Sequence, residues 1–178
     1  AASTTVLPSL LPHAVGLRFA KEVKELTKIR ENPERPLVAI IGGAKIEDKL
    51  SVVEEMSKKA DAVLIGGKLP HEIKEKGINF PGNVLVARMS SSGFDLDLEV
   101  AQKFADVVKA AKQVVWAGPM GKYEDEDQRA GTKILAEAIA EAGVYAVIGG
   151  GDTIAALSGI NMLEKMGFVS TGGGALLE

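Results

Sequence analysis

The chain has 178 residues, 46% of them hydrophobic, which is typical of one globular domain and excludes a disordered protein. A formal net charge of −3 disfavours a nucleic-acid-binding protein, and the absence of cysteine excludes disulfide frameworks and cysteine-ligated metal sites. Because no apolar run approaches the length that spans a bilayer, we expect a cytoplasmic protein that makes no membrane contact.

The opening of the chain differs in pattern from the rest. It begins without Met, in AASTTVLPSLLP, and we therefore expect a fragment of a longer protein. Within residues 13–32, Val15, Phe19 and Val23 recur at helical spacing, which predicts an amphipathic helix. The sequence NPERP that follows predicts its end.

Six short apolar runs follow, and helical stretches separate most of them. The predicted strands are 36–41, 61–65, 83–88, 113–117, 144–148 and 168–171. The predicted helices are 45–59, 96–111, 128–142 and 152–166, with room for only a short helix in 69–83. Near-continuous Val, Ile and Leu in the strands indicate a parallel sheet that is covered on both faces. We therefore predict a three-layer α/β/α domain.

Glycines follow the end of five of the six predicted strands. They stand at 42–43, 66–67, 118 and 121, 149–151 and 172–174. The carboxyl ends of parallel strands share one edge of a sheet, so these turns should line a single crevice. Glycine lets backbone N–H groups approach a ligand, and helix N-termini attract anions. The pattern favours a phosphate-binding site; the alternative is that glycine is merely common in such turns.

Charged residues beside these turns suggest the chemistry. Lys45 and Lys49 stand four residues apart at the start of a predicted helix, where a bound anion would offset their unfavourable interaction with the helix dipole. The alternative is a solvated lysine face. Asp152 and Thr153 are either helix-capping residues or, for Asp152, a ligand of Mg²⁺ beside phosphate. Glu124 either accepts hydrogen bonds from ribose hydroxyls or belongs to an ordinary acidic loop.

Two common nucleotide-binding fingerprints are missing. The sequence has no G-x-x-x-x-G-K-[ST], and in GGGDTI Ile154 replaces the last glycine of G-x-G-x-x-G. A P-loop NTPase and a standard NAD domain are both disfavoured. We also predict that His71 is a loop residue and that Trp116 belongs to the core of the fourth strand.

The segments GGAKIEDK, WAGPMGKYE, GGGDT and STGGGALLE, in this order, resemble the C-terminal nucleotide-binding half of the phosphoglycerate kinase family. The resemblance implies a Rossmann-like fold with a six-stranded parallel sheet in the order 3-2-1-4-5-6. It implies that residues 1–32 are a lead-in segment with an interdomain-type helix and that residues 33–178 are the nucleotide-binding domain. The implied reaction is reversible, glycolytic phosphoryl transfer from 1,3-bisphosphoglycerate to MgADP, which produces ATP and 3-phosphoglycerate. We expect a monomer.

The resemblance also implies a set of site residues. Lys45 is similar to the lysine that stabilises the phosphoryl group in flight, Lys49 to one that holds nucleotide phosphate, and Asp152 to the magnesium carboxylate. Thr153 would contact phosphate and Glu124 the ribose. The remaining members act through their backbone: Gly43, Gly66, Gly67 and Pro119 at adenosine, Gly151, Gly172, Gly173 and Gly174 at phosphate, and Ala44, Gly118 and Gly150 elsewhere along the nucleotide. Lys45, Gly151, Gly173 and Gly174 form the expected catalytic set.

The chain also departs from the family pattern. Ala117 stands where the family has Asn, so one polar contact to the nucleotide is missing. Lys68 and the short LPHEIKEKG replace a third glycine and a longer helix, and the segment 83–97 is shorter than usual. We expect the basic domain that binds phosphoglycerate, and the family's C-terminal tail, to lie outside this chain. The chain alone should therefore bind MgADP or MgATP weakly and turn over negligibly.

Two other functional classes compete with this interpretation. One is a non-catalytic, truncated module that binds nucleotide or a partner protein, which the departures at Ala117 and Lys68 favour. The other is a dinucleotide-dependent oxidoreductase, which lacks its glycine fingerprint and any clear hydride-transfer residue.

Overall fold

The computed structural model describes residues 6–44, 46–47 and 49–173. The predictions that fall on Lys45 and Gly174 lie outside the described residues. The chain divides into two compact units, with the boundary between residues 32 and 33. Within the part of the chain that the structure describes, no helix is both long and apolar enough to cross a membrane.

The first unit holds two helices, α1 (Leu7–Leu10) and α2 (Leu17–Glu31). Helix α2 begins four residues later than the predicted range of 13–32, directly after Gly16, which is extended. Several large apolar side chains of this unit are exposed, and Leu17 is 92% accessible. An exposed apolar face of this kind is typical of a surface that packs against another element.

The second unit is built on six parallel strands. They are β1 (Leu37–Ile41), β2 (Ala62–Ile65), β3 (Val84–Val86), β4 (Gln113–Ala117), β5 (Tyr145–Gly149) and β6 (Phe168–Val169). Their order across the sheet is β3-β2-β1-β4-β5-β6, which confirms the expected 3-2-1-4-5-6 topology. Ile41 lies opposite Ile65 on one side and Ala117 on the other, and Ala117 lies opposite Gly149. The carboxyl ends of four strands are therefore level, and the turns that follow them start from one edge.

Helices complete the α/β architecture of this unit. They are α3 (Leu50–Lys59), α4 (Leu69–Lys76), α5 (Leu98–Lys109), α6 (Ala130–Ala142) and α7 (Gly151–Gly159), with 3₁₀ turns at Glu126–Gln128 and Leu163–Lys165. All residues of β1 are buried. Ile40 belongs to a core cluster with Phe104 of α5 and Ile139 of α6, while the next residue, Ile41, whose side chain belongs to the other face of the sheet, is also buried. The sheet is therefore covered on both faces, as the Val- and Ile-rich strands predict. Trp116, fully buried in β4, confirms its predicted core position.

The predicted helix 45–59 was wrong at its start, because the helix begins only at Leu50. Ile46, which precedes the helix, contacts a residue that is distant in the chain. Ile46 is buried, and its N–H donates to Glu72 Oε2 in the first turn of α4 at 2.9 Å. Lys49 therefore precedes the helix, and its predicted placement within that helix is incorrect.

Candidate functional site

The turns after β1, β2 and β4 are joined to one another through their backbones. The N–H of Gly42 donates to the carbonyl of Ala117 at 2.9 Å, and the N–H of Lys68 donates to the carbonyl of Gly43 at 2.8 Å. Gly67 has a φ of +66°, and a Cβ there would lie 2.7 Å from backbone atoms of Gly43. The glycines thus allow the turns to pack backbone against backbone and to form one continuous surface at the carboxyl edge of the sheet.

Two adjoining cavities open on this surface. The first, which we call the β1/β4/β5 cavity, has a volume of about 310 Å³. It is lined by Gly42, Gly43, Ala44, Lys49, Ala117, Gly118, Pro119, Gly150, Gly151, Asp152 and Thr153. The second, the β2/β4 cavity, measures about 190 Å³ and is lined by Gly43, Ala44, Gly67, Lys68, Phe94, Pro119, Gly121, Lys122, Tyr123, Glu124 and Asp152. Because they share lining residues, the two cavities form one cleft.

Most of the predicted site residues that the structure describes come together in this cleft, but three of them do not line it. Gly66 is buried below the turn, where its N–H donates to the carbonyl of Ile41 at 3.0 Å. Gly172 and Gly173 follow β6 and line neither cavity. The N–H of Gly172 donates instead to Ser170 Oγ at 3.1 Å. The roles of all these residues toward a ligand stay predictions.

Helix α7 begins at the β1/β4/β5 cavity. Gly150, with a φ of +93°, turns the chain into the helix, and its carbonyl accepts the first helical hydrogen bond, from Ile154 at 3.0 Å. The N–H groups of the first helical turn have no partner within a helix, and they carry its positive dipole end. With Lys49 in the same lining, this cavity is suited to an anion such as phosphate.

Thr153 links two of the turns through its hydroxyl. The hydroxyl donates to the carbonyl of Gly149 at 2.8 Å and accepts the N–H of Gly118 at 2.6 Å, and the residue is fully buried. Its one hydroxyl proton is already used, so in this arrangement Thr153 would contact a phosphate through its backbone N–H. Its side chain holds the turns after β4 and β5 together.

We expect Thr153→Val to lower the unfolding free energy by about 2 kcal/mol, because it leaves the Gly118 N–H and the Gly149 carbonyl without the hydroxyl that joins them. Urea denaturation followed by circular dichroism measures this loss. Thr153→Ser is the matched control, since it keeps the hydroxyl, and it should retain most of the stability. Equal stability of the Val variant and the wild type would contradict this role of the hydroxyl.

Tyr123 lines the β2/β4 cavity beside Asp152, and sequence patterns did not single it out. Its hydroxyl donates to Asp152 Oδ1 at 3.4 Å, and Glu124 is its neighbour in the chain. Burial raises the pKa of Tyr123, and the nearby carboxylates of Asp152 and Glu124 raise it further. The phenol therefore stays protonated and able to donate at neutral pH.

The residues around Asp152 fit a magnesium ion that takes most of its ligands from elsewhere. No group of three or more His, Cys, Asp or Glu that could hold a metal ion occurs among the described residues. A single carboxylate at a helix N-terminus that suits phosphate also suits Mg²⁺, which typically uses one or two carboxylates together with phosphate oxygens and water. Asp152 is the residue that would hold it.

A buried carboxylate, which local sequence patterns also did not reveal, supports the cleft from below. Asp95 is 3% exposed and accepts the N–H of Leu96 at 2.8 Å and that of Gly131, in the first turn of α6, at 3.1 Å. Next to it, the carbonyl of Phe94 accepts the N–H of Lys122 at 2.8 Å. The segment around Asp95 thereby anchors the turn that carries Glu124.

The segment after β2 also differs from expectation. His71, predicted in a loop, lies in α4, and its Nε2 is 3.2 Å from Glu75 Oε1. It lines a third cavity, of about 600 Å³, which shares Gly67, Lys68 and Phe94 with the β2/β4 cavity and extends along α4 to Arg88 after β3. The short helix α4 and the segment after β3 thus border a cavity that continues from this side of the cleft.

Comparison with known proteins identifies one family. A family model described as phosphoglycerate kinase matches residues 1–84 and 79–178. The structure of phosphoglycerate kinase from Coxiella burnetii is 30% identical, with a TM-score of 0.77, and the match covers 89% of this chain and 53% of that one. Phosphoglycerate kinase from Pyrococcus horikoshii OT3 is 25% identical, with a TM-score of 0.82, and the match covers 98% of this chain and 56% of that one. The chain thus spans about half the length of these two proteins.

Proposed function

Because this chain belongs to the phosphoglycerate kinase family, we propose that it is the nucleotide-binding half of such an enzyme and that it binds MgADP or MgATP. The observation that carries the proposal is the continuous cleft at the carboxyl edge of the sheet. One end of the cleft offers helix N–H groups and Lys49, which suit phosphates. The other end offers glycine backbone and the Glu124 carboxylate, which suit a nucleoside.

In this proposal each part of the cleft has a separate task. The adenosine lies in the β2/β4 cavity against the backbone of Gly43, Gly67 and Pro119, and Glu124 accepts hydrogen bonds from the ribose. The phosphates lie in the β1/β4/β5 cavity, where the first turn of α7 and Lys49 neutralise their charge. Bound Mg²⁺, held by Asp152, supplies further neutralisation of phosphate charge.

Phosphoryl transfer needs positioning and charge neutralisation more than covalent chemistry from the protein. We assign the stabilisation of the moving phosphoryl group to Lys45, and backbone donation to it to Gly151 and to the glycines 172–174. The second substrate, 1,3-bisphosphoglycerate or 3-phosphoglycerate, would be held by another domain. Because transfer requires both substrates in contact with water excluded, this chain alone should bind nucleotide and turn over negligibly. The glycolytic role, the cytoplasmic location and the monomeric state belong to the same proposal.

The departure at Ala117 sets the expected strength of binding. Ala117 is buried at the end of β4 and contributes to the lining of the β1/β4/β5 cavity. It presents a methyl group where the family pattern places an amide. A missing hydrogen bond to a ligand weakens affinity by about 0.5–1.5 kcal/mol, which corresponds to up to about tenfold.

Calorimetric titration of the 178-residue chain with MgADP tests the proposal. We expect saturable binding at millimolar nucleotide and a rise in melting temperature, since a ligand that binds only the folded state stabilises it. Asp152→Asn should weaken MgADP binding about tenfold and leave the affinity for ADP in EDTA nearly unchanged, because it removes the carboxylate that holds the metal.

The control variant is Asp127→Asn. Asp127 is exposed in the 3₁₀ turn Glu126–Gln128, close in the chain to Glu124, and lines neither cavity. Its loss should not change the affinity for MgADP. No heat and no thermal shift at millimolar MgADP, or equal effects of the two substitutions, would contradict the proposed site.

A further inference from the structure

Two side chains from different turns meet at the junction of the two cavities. Tyr123, which is partly buried, belongs to the turn after β4 and lines the β2/β4 cavity, while Asp152 belongs to the first turn of α7 and contributes to both linings. The Tyr123 hydroxyl donates to Asp152 Oδ1 at 3.4 Å. Asp152 Oδ2 is left for another partner.

The partner of Asp152 is neutral, although a cation stands close by in the sequence. Lys122 precedes Tyr123, but its Nζ lies 2.7 Å from Asp125 Oδ2 and 5.8 Å from the centre of the Phe94 ring. Two contacts therefore engage this ammonium group, and neither of them involves Asp152. A lysine paired with Asp152 would compete with a metal ion for the carboxylate, whereas a hydroxyl on one oxygen leaves the negative charge in place.

A hydrogen bond of this kind has a known effect on metal ligands. An exposed aspartate on a helix can adopt several side-chain conformations, and only some of them direct an oxygen toward the phosphate-binding end of the cleft. Carboxylates that bind metals are usually hydrogen-bonded through their other oxygen, and this contact fixes their orientation. The Tyr123 hydroxyl stands in that relation to Asp152.

We infer that Tyr123 is a positioning residue for Asp152, whose hydroxyl holds one carboxylate oxygen so that the other is available to Mg²⁺ bound with the nucleotide. This inference rests on the proposed function and extends it. Tyr123 directly precedes Glu124, the residue assigned to the ribose. The same short turn therefore connects the nucleoside end of the cleft with the metal end, and Tyr123 couples the binding of Mg²⁺ to the binding of the nucleotide.

The test compares the affinity for ADP in EDTA with the affinity for ADP at saturating Mg²⁺. The ratio of the two dissociation constants is the metal-dependent gain, and calorimetry measures it for the wild type, Tyr123→Phe, Asp152→Asn and the double variant. Tyr123→Phe keeps the ring and removes only the hydroxyl. We expect this variant to lower the metal-dependent gain about tenfold. This is the lower end of the range for losing a hydrogen bond to a metal ligand, because the turn is partly exposed.

Three further results are expected from a positioning role. Tyr123→Phe should leave the affinity for metal-free ADP and the melting temperature unchanged. It should also have no additional effect in a chain that already carries Asp152→Asn, because the hydroxyl acts only through that carboxylate. A role in folding alone would instead lower the melting temperature and both affinities together.

Other outcomes overturn the inference, and they separate it from the proposed function. A normal gain in Tyr123→Phe, with a reduced gain in Asp152→Asn, would overturn the inference and leave the proposed function standing. Equal loss of metal-free and metal-bound affinity would assign Tyr123 to the nucleoside and would also overturn it. Absence of ADP and MgADP binding by the wild type would overturn the proposed function and the inference together.

Discussion

A chain that carries Gly42→Ala should lose about 3 kcal/mol of unfolding free energy and melt about 6–12 °C lower than the wild type. A Cβ at this position would lie 2.6 Å from the carbonyl oxygen of Gly118 and would also collide with the carbonyl oxygen of Pro119. Both obstacles are backbone atoms, which cannot rotate away as a side chain can. The turns after β1 and β4 would have to separate, and MgADP binding should weaken with them. Urea and thermal denaturation measure the loss.

Two other glycines provide matched controls. At Gly82 an added Cβ meets nothing within 4 Å, so Gly82→Ala should change stability by less than about 0.5 kcal/mol. Gly77 is equally open but has a φ of +61°, so Gly77→Ala isolates the backbone cost, about 1 kcal/mol. If Gly42→Ala proved as stable as Gly82→Ala, the close packing of the turns would be wrong.

The sheet could be predicted because its signals are local. Nearly every residue in runs such as 36–41 and 113–117 is apolar, on both alternations, which is typical of a short strand buried on both faces. The placement of glycine at strand ends likewise predicted that the turns would share an edge. The sequence pattern could not distinguish glycines that line a cleft from those that pack beneath it. Gly43 does the first and Gly66 the second.

The errors and omissions arise from contacts between distant segments. The predicted start of α3 was wrong because Glu72, 26 residues further along the chain, accepts the N–H of Ile46, which therefore lies outside a helix. The link that the Thr153 hydroxyl makes between two turns was not predicted, because its partner Gly118 is 35 residues away in the chain. Local periodicity and helix-capping rules contain no information on such pairs, which only the assembled fold brings together.

Asp95→Ala should lower the unfolding free energy by about 3 kcal/mol at neutral pH. The carboxylate is buried and accepts N–H groups from Leu96 and from Gly131 at the start of α6. Its removal leaves these buried donors unpaired and opens a small cavity beside the turn that carries Glu124. Urea denaturation measures the effect. Asp97→Ala is the control: Asp97 also caps a helix, α5, but it is more exposed, and the loss there should be smaller.

The two aspartates should also respond to pH in opposite directions. Burial raises the pKa of Asp95 above its usual 3.8, so its contribution to stability is complete at lower pH and decreases as pH rises through the raised value. The destabilisation caused by Asp95→Ala should therefore shrink between pH 4 and 7.

Arg88 lowers the pKa of Asp97 through a hydrogen bond, so Asp97 stabilises the fold above pH 3.8 and loses that effect as pH falls through its lowered value. The destabilisation caused by Asp97→Ala should grow as pH rises from 2 to 4 and stay constant above that range. Parallel pH profiles for the two variants would contradict the buried environment of Asp95. Opposite profiles would support a buried Asp95 carboxylate that accepts hydrogen bonds at the N-terminus of α6 although its desolvation is unfavourable.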